Sequence, residues 1–203
     1  MPDLQRERTT RRARADVPSV CPVRGLLLFA LVLMLTVTAA VTENAAATRG
    51  SRSSAAACGV YRWTVKTLQD RPRLLPARKT TIHFLITRRA PSYLPDRRLP
   101  FEHRVYTVTA AVTLVRPEDD SDLHVILRQG GNHMITEAPS PSCDRRATPL
   151  RRRQMRVARS HVRLCARARV TGVAFFDFDH GQTGVAPNAI ELHPILGFRC
   201  LTS

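Results

Sequence analysis

The sequence from Asp177 to Ile195, DFDHGQTGVAPNAIELHPI, concentrates carboxylate and imidazole side chains in one short span. These side chains belong to Asp177, Asp179, His180, Glu191 and His193. Carboxylates and imidazoles can bind divalent cations, and they can also act as general acids and bases. The alternative is structural: the span forms a loop shaped by its glycines and proline, and its carboxylates neutralise nearby arginines.

The elements that position this span follow from hydrophobic periodicity. In RVYTVTAAVTLVR, apolar residues alternate from Tyr106 to Leu114, which predicts a long strand with one buried face. DLHVILRQ and HMITEAP predict two further strands on either side of a Gly-Gly-Asn hairpin turn. Thr148 to Arg167 has apolar residues at helical spacing opposite an arginine stripe, which predicts an amphipathic helix. RVTGVAFFD and AIELHPILGF predict the last two strands.

The predicted order is β-β-β-α-β-β, a mainly β fold with one helix (α+β). A long first strand and a helix between the third and fourth strands are typical of the OB-fold, a five-stranded Greek-key barrel. We therefore predict an OB-fold-like barrel over residues 101–203, with an N-terminal extension packing on it over residues 58–100. The alternative is another small α+β sheet. Within the extension, VYRWTVKT and KTTIHFLIT are predicted to be extended.

The predicted barrel places a second acidic segment, PEDDSD, near the Asp177–Ile195 span. In an OB-fold, the loop between the first two strands and the loop between the last two lie at a ligand-binding site. Here these loops are PEDDSD and the loop that follows Asp177. We predict one rim formed by Asp120, Asp122, His124, Asp177, His180, Glu191 and His193. A divalent cation at this rim would be bound by Asp177, His180 and Glu191.

Three functions remain open on these residues. The first is binding of an unknown ligand or cell-envelope component through the acidic loop end. The second is a metal-dependent hydrolase, of phosphodiesters for example, that uses Asp177, His180, Glu191 and His193. The third is binding of nucleic acid or an anionic surface by arginines, which a net charge of +16 favours and an aromatic content of 5% disfavours. The sequence has no Ser-His-Asp, Cys-His, phosphate-loop or HExxH pattern, so an enzyme is the less favoured class.

The N-terminus predicts export. An arginine-rich segment precedes the uncharged apolar run GLLLFALVLMLTVTAAV, Gly25 to Val41. This pattern predicts a signal peptide over residues 1–47, cleaved after Ala47, or an uncleaved membrane anchor in the same place. Residues 48–57 are then a linker, and the mature protein is secreted or part of the cell envelope. Contact with a membrane is expected only through the N-terminal segment.

Four cysteines follow the apolar run, namely Cys58, Cys143, Cys165 and Cys200. An even number of cysteines in an exported chain predicts disulfides, and their spacing fits no zinc motif. The barrel topology favours one pairing. The last strand should run toward the end of the helix, which brings Cys200 to Cys165. Cys58 at the start of the extension is then left to pair with Cys143 after the third strand.

Several longer motifs resemble those of a family of exported bacterial proteins of uncharacterised activity. They are CGVYRWTVKT from Cys58, TTI from Thr80, DSDLH from Asp120, MITEAPSPSC from Met134, and FFDFDHGQTGVAPNAIELHP from Phe175. The sequence departs from the family pattern at Tyr61, where the family has Glu, and at Leu123, where it has Tyr. The resemblance implies export and a shared architecture, and it implies no reaction.

Overall fold

The computed structural model describes residues 57–203. The elements are α1 (Trp63–Lys66), β1 (Arg78–Lys79), α2 (Ile82–Ile86), a 3-10 helix (Pro100–His103), β2 (Val105–Pro117), β3 (Leu123–Gln129), β4 (Asn132–Ala138), α3 (Pro149–His161), β5 (Cys165–Phe176) and β6 (Ile190–Thr202). The predicted signal peptide or anchor and all but the last residue of the predicted linker lie outside the described residues. Among residues 57–203, no helix is both long and apolar enough to cross a membrane.

Five strands close into the predicted OB-fold barrel. Their order around the barrel is β2-β3-β4-β6-β5, and β5 pairs back onto β2. All of these neighbours are antiparallel except β4 and β6, which are parallel and meet at Thr136 and Leu192. The helix α3 connects the third and fourth barrel strands, as predicted. This order of strands confirms the fold class.

Strand β2 reaches around the barrel because it pairs with two partners. Its first part pairs with β5 and its second part with β3, and the register shifts near Val112 in both ladders. Such a shift bends a strand and increases its twist, so that one long strand can serve both sides of a closed barrel. The alternation holds as far as Val112: Tyr106, Val108, Ala110 and Val112 are buried in the core. Past the shift, Val115 packs against the core in place of the predicted Leu114.

The helix α3 is shorter than predicted. It begins after Thr148, whose side chain accepts a hydrogen bond from the Arg151 backbone N–H, and it ends at His161 instead of Arg167. Cys165, predicted on the helix, is the first residue of β5 and pairs with Val112 of β2. The helical prediction fails there because strand pairing, which depends on distant residues, determines the backbone of residues 165–167.

The N-terminal extension contains two short helices where we predicted extended segments. Thr81 caps α2 by accepting a hydrogen bond from the Phe84 backbone N–H. Ile82 and Leu85, three residues apart, are then buried in the barrel core. The β-branched residues suggested strands, but burial of one helical face against the barrel outweighs that weak preference.

Both predicted disulfides are present. Cys58 bonds to Cys143 and fastens the start of the extension to the segment after β4. Cys165 bonds to Cys200 and links the start of β5 to the end of β6. Two disulfides are compatible with an extracellular protein.

Candidate functional site

The outward faces of β3, β4 and β6 carry ionisable side chains. Alternate residues of these strands, such as Val125, Met134 and Leu192, point into the barrel core. The residues between them therefore point outward, because successive side chains of a strand lie on opposite faces. His124 of β3 stands directly opposite Glu137 of β4 in the ladder. The outward side chains that form a cluster are His124, Glu137, Glu191 and His193, joined by Asp122 from the β2–β3 loop.

These outward side chains are buried, although the outer face of a barrel usually meets solvent. Asp122, His124 and His193 have no exposed surface, and Glu137 and Glu191 retain 5% and 2%. The face of the second and third barrel strands, here β3 and β4, is the one with which OB-folds bind ligands. In this protein, part of that face is covered by other segments of the same chain.

The β5–β6 loop forms one part of this cover. The Thr183 carbonyl oxygen accepts a hydrogen bond from the His124 Nε2–H at 2.8 Å. Gly184 has a φ of +89°, and a Cβ there would lie 2.7 Å from the side chain of Ile126. A glycine is therefore required at this position for the loop to approach β3 so closely.

The N-terminal extension forms the other part of the cover. Lys66 of α1 is almost fully buried, and its Nζ lies 2.6 Å from Asp177 Oδ2. Burial by itself would lower the pKa of Lys66, but Glu191, Asp177 and Glu137 outweigh burial and raise the pKa. Lys66 is therefore a permanent positive charge beside the cluster.

Within the cluster, Glu137 lies between the two imidazoles. Its Oε1 is 3.3 Å from His124 Nδ1, and its Oε2 is 2.9 Å from His193 Nδ1. The other ring nitrogen of His193, Nε2, lies 3.2 Å from Asp122 Oδ2, and Nδ1 is also 3.7 Å from Glu191 Oε2. His193 therefore has carboxylate oxygens beside both of its nitrogens.

The contacts of His193 are close but lack the angles of hydrogen bonds. Both His193 nitrogens, both Asp122 side-chain oxygens and Glu191 Oε2 are buried without a hydrogen-bond partner among the described residues. Each buried polar group left in this state costs on the order of 1–3 kcal/mol. Proximity at 2.9–3.7 Å supplies electrostatic attraction, but it does not satisfy these atoms.

Burial and mutual contact shift the pKa values of the cluster in opposite directions. Burial alone would lower the pKa of His193, but Asp122, Glu137 and Glu191 raise it well above the usual value. Burial alone would raise the pKa of Glu137, and the two imidazoles lower it instead. Burial, followed by the charge of Glu137, raises the pKa of Glu191 to about 7. Near neutral pH, the Glu137 carboxyl group is therefore ionised, whereas the Glu191 carboxyl group is partly protonated.

The structure brings most of the predicted rim together. Asp122, His124, Glu191 and His193 join the cluster, and Asp177 lies at its edge through Lys66. Asp120 and the exposed His180 line a neighbouring cleft instead. Among the described residues, two groups have donor atoms close enough to share a metal ion. They are Asp122, Glu137 and His193, and Glu118, His124 and Glu137; neither includes the predicted ligands Asp177, His180 and Glu191.

Glu137, which both groups share, was not among the predicted site residues. Its signal was a single carboxylate in the otherwise uncharged strand segment MITEA. A charged residue within a predicted buried strand is rarely placed there without a partner. Lys66 was missed as well, because α1 was predicted to be extended and its position over the barrel could not be anticipated.

An open cleft adjoins the cluster. Its volume is about 470 Å³, and its walls are Gly59, Val60, Tyr61, Trp63, Lys66, Asp120, Asp177, Phe178 and His180. The rings of Tyr61 and Phe178 meet edge to face with centroids 6.0 Å apart. The two side chains remain 74% and 43% exposed, although large hydrophobic side chains are usually buried. The third aromatic ring of the cleft belongs to Trp63. Its indole N–H donates a hydrogen bond to the Cys143 carbonyl oxygen at 3.3 Å, which holds the ring in place.

The arginine face of α3 is exposed, as predicted for an amphipathic helix. Arg152, Arg153 and Arg156 all face solvent. β3 and β4 contain no Phe, Tyr or Trp on which bases could stack. These two strands therefore offer no aromatic platform beside the exposed arginines.

Comparison with known proteins adds little beyond the fold. No protein-family model and no curated protein sequence matches this chain. Among solved structures, a protein described as an aspartyl-tRNA synthetase from Leishmania major is similar at 11% identity and a TM-score of 0.41, over 62% of this chain and 21% of that one. Entamoeba histolytica asparaginyl-tRNA synthetase is similar at 10% identity and a TM-score of 0.38, over 64% of this chain and 24% of that one. The matched region thus spans less than a quarter of either synthetase.

Proposed function

We propose that this protein is an exported OB-like binding module whose ligand occupies the aromatic cleft. The observation that carries the proposal is the exposure of Tyr61 and Phe178 beside Trp63, in a cleft that also contains polar groups. Exposed aromatic rings in a concave site lose water on binding and give contact area at little entropic cost. The cleft also adjoins the loops that OB-folds use for ligands.

The charges of the cleft favour a neutral, hydroxyl-rich ligand such as an oligosaccharide of the cell envelope. The one lysine of the cleft, Lys66, is neutralised by Asp177 at 2.6 Å and is not free to bind a phosphate. Asp120 has no such partner in the cleft and would repel an anionic ligand, whereas a carboxylate accepts hydrogen bonds from hydroxyl groups. Sugar rings also present apolar faces to aromatic side chains. OB-folds bind oligosaccharides as well as oligonucleotides, so the ligand class is compatible with the fold.

A glycan array tests the proposal, followed by calorimetric titration with the glycan that binds best. Phe178→Ala should weaken that binding about tenfold, or about 1.4 kcal/mol, because it removes one aromatic wall. Phe84→Ala is the matched control: Phe84 is 38% exposed, compared with 43% for Phe178, and does not line the cleft. Its affinity should equal that of the unmodified protein.

A single-stranded DNA oligonucleotide belongs in the same titrations. Binding to DNA that weakens steeply with salt, without binding to any glycan, would replace this proposal with the arginine-driven alternative. Equal loss of glycan affinity in Phe84→Ala and Phe178→Ala would place the ligand outside the cleft.

Export has a separate test. The basic segment followed by the apolar run Gly25 to Val41 should direct secretion and then be removed. Mass spectrometry of the native protein should find an N-terminus between about Ala40 and Cys58. An intact Met1 in a cytoplasmic fraction is the contrary result.

A further inference from the structure

Three buried side chains from different segments form a compact donor group. Asp122 ends the β2–β3 loop, Glu137 lies in β4 and His193 lies in β6. One donor atom from each lies within 4.8 Å of the other two. The shortest contact in the group, 2.9 Å from His193 Nδ1 to Glu137 Oε2, is close to the ligand-to-ligand spacing around a small metal ion.

The unsatisfied atoms of this group are an independent observation. Asp122 and His193 are fully buried, yet neither side chain has a hydrogen bond to any residue between 57 and 203. Buried polar atoms in native proteins almost always have partners, so unsatisfied ones need an explanation. A cation between them would satisfy the oxygens and the imidazole together.

In the neighbouring group, Glu118, His124 and Glu137, no side-chain oxygen or nitrogen is buried without a hydrogen-bond partner. His124 contacts Glu137 through Nδ1 and the Thr183 carbonyl oxygen through Nε2. Glu118 accepts a hydrogen bond from Arg116 at 3.2 Å. His124 therefore serves to hold Glu137 in place, which is the usual role of a residue that supports a metal ligand.

We propose that Asp122, Glu137 and His193 bind one divalent transition-metal ion of the zinc class, with the Glu191 carboxyl group beside it. One imidazole nitrogen with carboxylate oxygens is a donor set typical of zinc and its first-row neighbours. Calcium and magnesium prefer sites made of oxygen alone. The ion takes one nitrogen of His193; Asp122 lies beside Nε2, and Glu137 and Glu191 lie beside Nδ1.

The buried charges point to the same conclusion. Asp122, Glu137 and Glu191 surround one imidazole, and the fixed cation nearby, Lys66, is already paired with Asp177. Buried carboxylates in excess of cations are costly. A divalent ion would take the place of the proton on His193 and balance two of them. This site is distinct from the aromatic cleft, so the proposal stands or falls independently of the glycan hypothesis.

The test uses the exported chain with its disulfides intact, dialysed against EDTA and then titrated with zinc chloride. We expect one zinc per chain by elemental analysis after desalting. We also expect a melting temperature that rises with zinc concentration, because a ligand of the folded state stabilises it by mass action. Magnesium and calcium at the same concentrations should raise it far less.

Asp122→Asn separates a metal site from a structural ion pair. Replacing a residue that only supports a ligand typically costs about 10–100-fold in metal affinity. Asp122 is itself a proposed ligand, so the variant should lose at least that much in zinc affinity. Whatever its melting temperature without metal, that temperature should no longer rise as zinc is added, because the stabilisation by mass action is lost. His180→Gln is the control, since His180 is exposed and outside the group, and it should bind zinc like the unmodified protein.

Three results would overturn the proposal. One is an unmodified protein that retains no zinc and shows no change in melting temperature. Another is an Asp122→Asn variant that binds zinc as well as the unmodified protein does. The third is loss of zinc binding in His180→Gln, which would place the ion at the exposed loop. Should Asp122→Asn fail to fold, the first measurement still decides.

Discussion

Glu102→Gln should lower the free energy of unfolding by about 3–5 kcal/mol, the cost of breaking a buried ion pair by removing one partner. Glu102 and Arg62 form such a pair, with side chains 0% and 1% exposed. The substitution keeps the shape of the side chain and removes its charge. The guanidinium of Arg62 would remain buried without a counter-ion. Urea unfolding followed by circular dichroism measures the loss.

The expected effect is large because every donor of Arg62 is used. Two of its N–H groups bind Glu102 at 2.9 and 2.7 Å. The others donate to the carbonyl oxygens of Pro95, Arg97 and Phe176. Glu102 in turn accepts hydrogen bonds from the backbone N–H groups of Leu99 and Phe176. A glutamine amide would turn a donor toward another donor in either orientation.

Asp70→Asn is the matched control. Asp70 pairs with Arg98 at 2.8 Å, but its side chain is 26% exposed, so water can replace part of the interaction. We expect a clearly smaller loss of stability. Equal losses in the two variants would contradict the argument that burial determines the strength of the Arg62–Glu102 pair.

This ion pair also determines where the cleft lies. Arg62 stands between Tyr61 and Trp63, two of the aromatic walls, and its guanidinium carbon lies 4.6 Å from the centre of the Phe175 ring. The pair therefore fastens the extension to the barrel directly behind the cleft. Glu102→Gln should accordingly weaken binding in the cleft as well as stability.

The barrel could be predicted from the sequence because its strands have one apolar face. In β2, alternation placed Tyr106, Val108, Ala110, Val112 and Leu114 on one apolar face, and all of these but Leu114 are buried. The strand order then followed from the position of one helix between the third and fourth strands. Periodicity of two is a local property, so a single sequence reveals it.

The extension could not be predicted in the same way. Its helices are four and five residues long, too short to show a helical period. Their conformation depends on contacts with distant partners, such as the hydrogen bond from the Ile82 backbone N–H to Gln129 of β3 at 2.8 Å. Short segments that fold against a barrel follow the barrel's surface more than their own propensity.

Only part of the candidate site could be predicted, because the burial of its other residues depends on contacts with distant segments. Residues in the two barrel loops and on β6, such as Asp122 and His193, follow from topology. Glu137 of β4 does not, because the outer face of a barrel strand usually meets solvent, whereas the structure covers that face with the extension and the β5–β6 loop. A covered outer face turns ordinary surface charges into a buried cluster, and no local pattern in β4 indicates the cover.

Removing the Cys58–Cys143 disulfide by substituting both cysteines with alanine should cost about 4–5 kcal/mol of stability in the chain-entropy account. The bond joins residues 85 positions apart, whereas Cys165–Cys200 joins residues 35 apart. A crosslink that closes a longer loop restricts the unfolded chain more, so the second pair should cost about 0.8 kcal/mol less when removed.

Loss of Cys58–Cys143 should also disorder the cleft, because Gly59, Val60 and Tyr61 directly follow Cys58. Urea unfolding of both double variants measures the stabilities, and glycan titration measures the cleft. A loss below about 1 kcal/mol for the first pair, or glycan affinity that falls only with the second, would refute the view that Cys58–Cys143 holds the extension over the barrel.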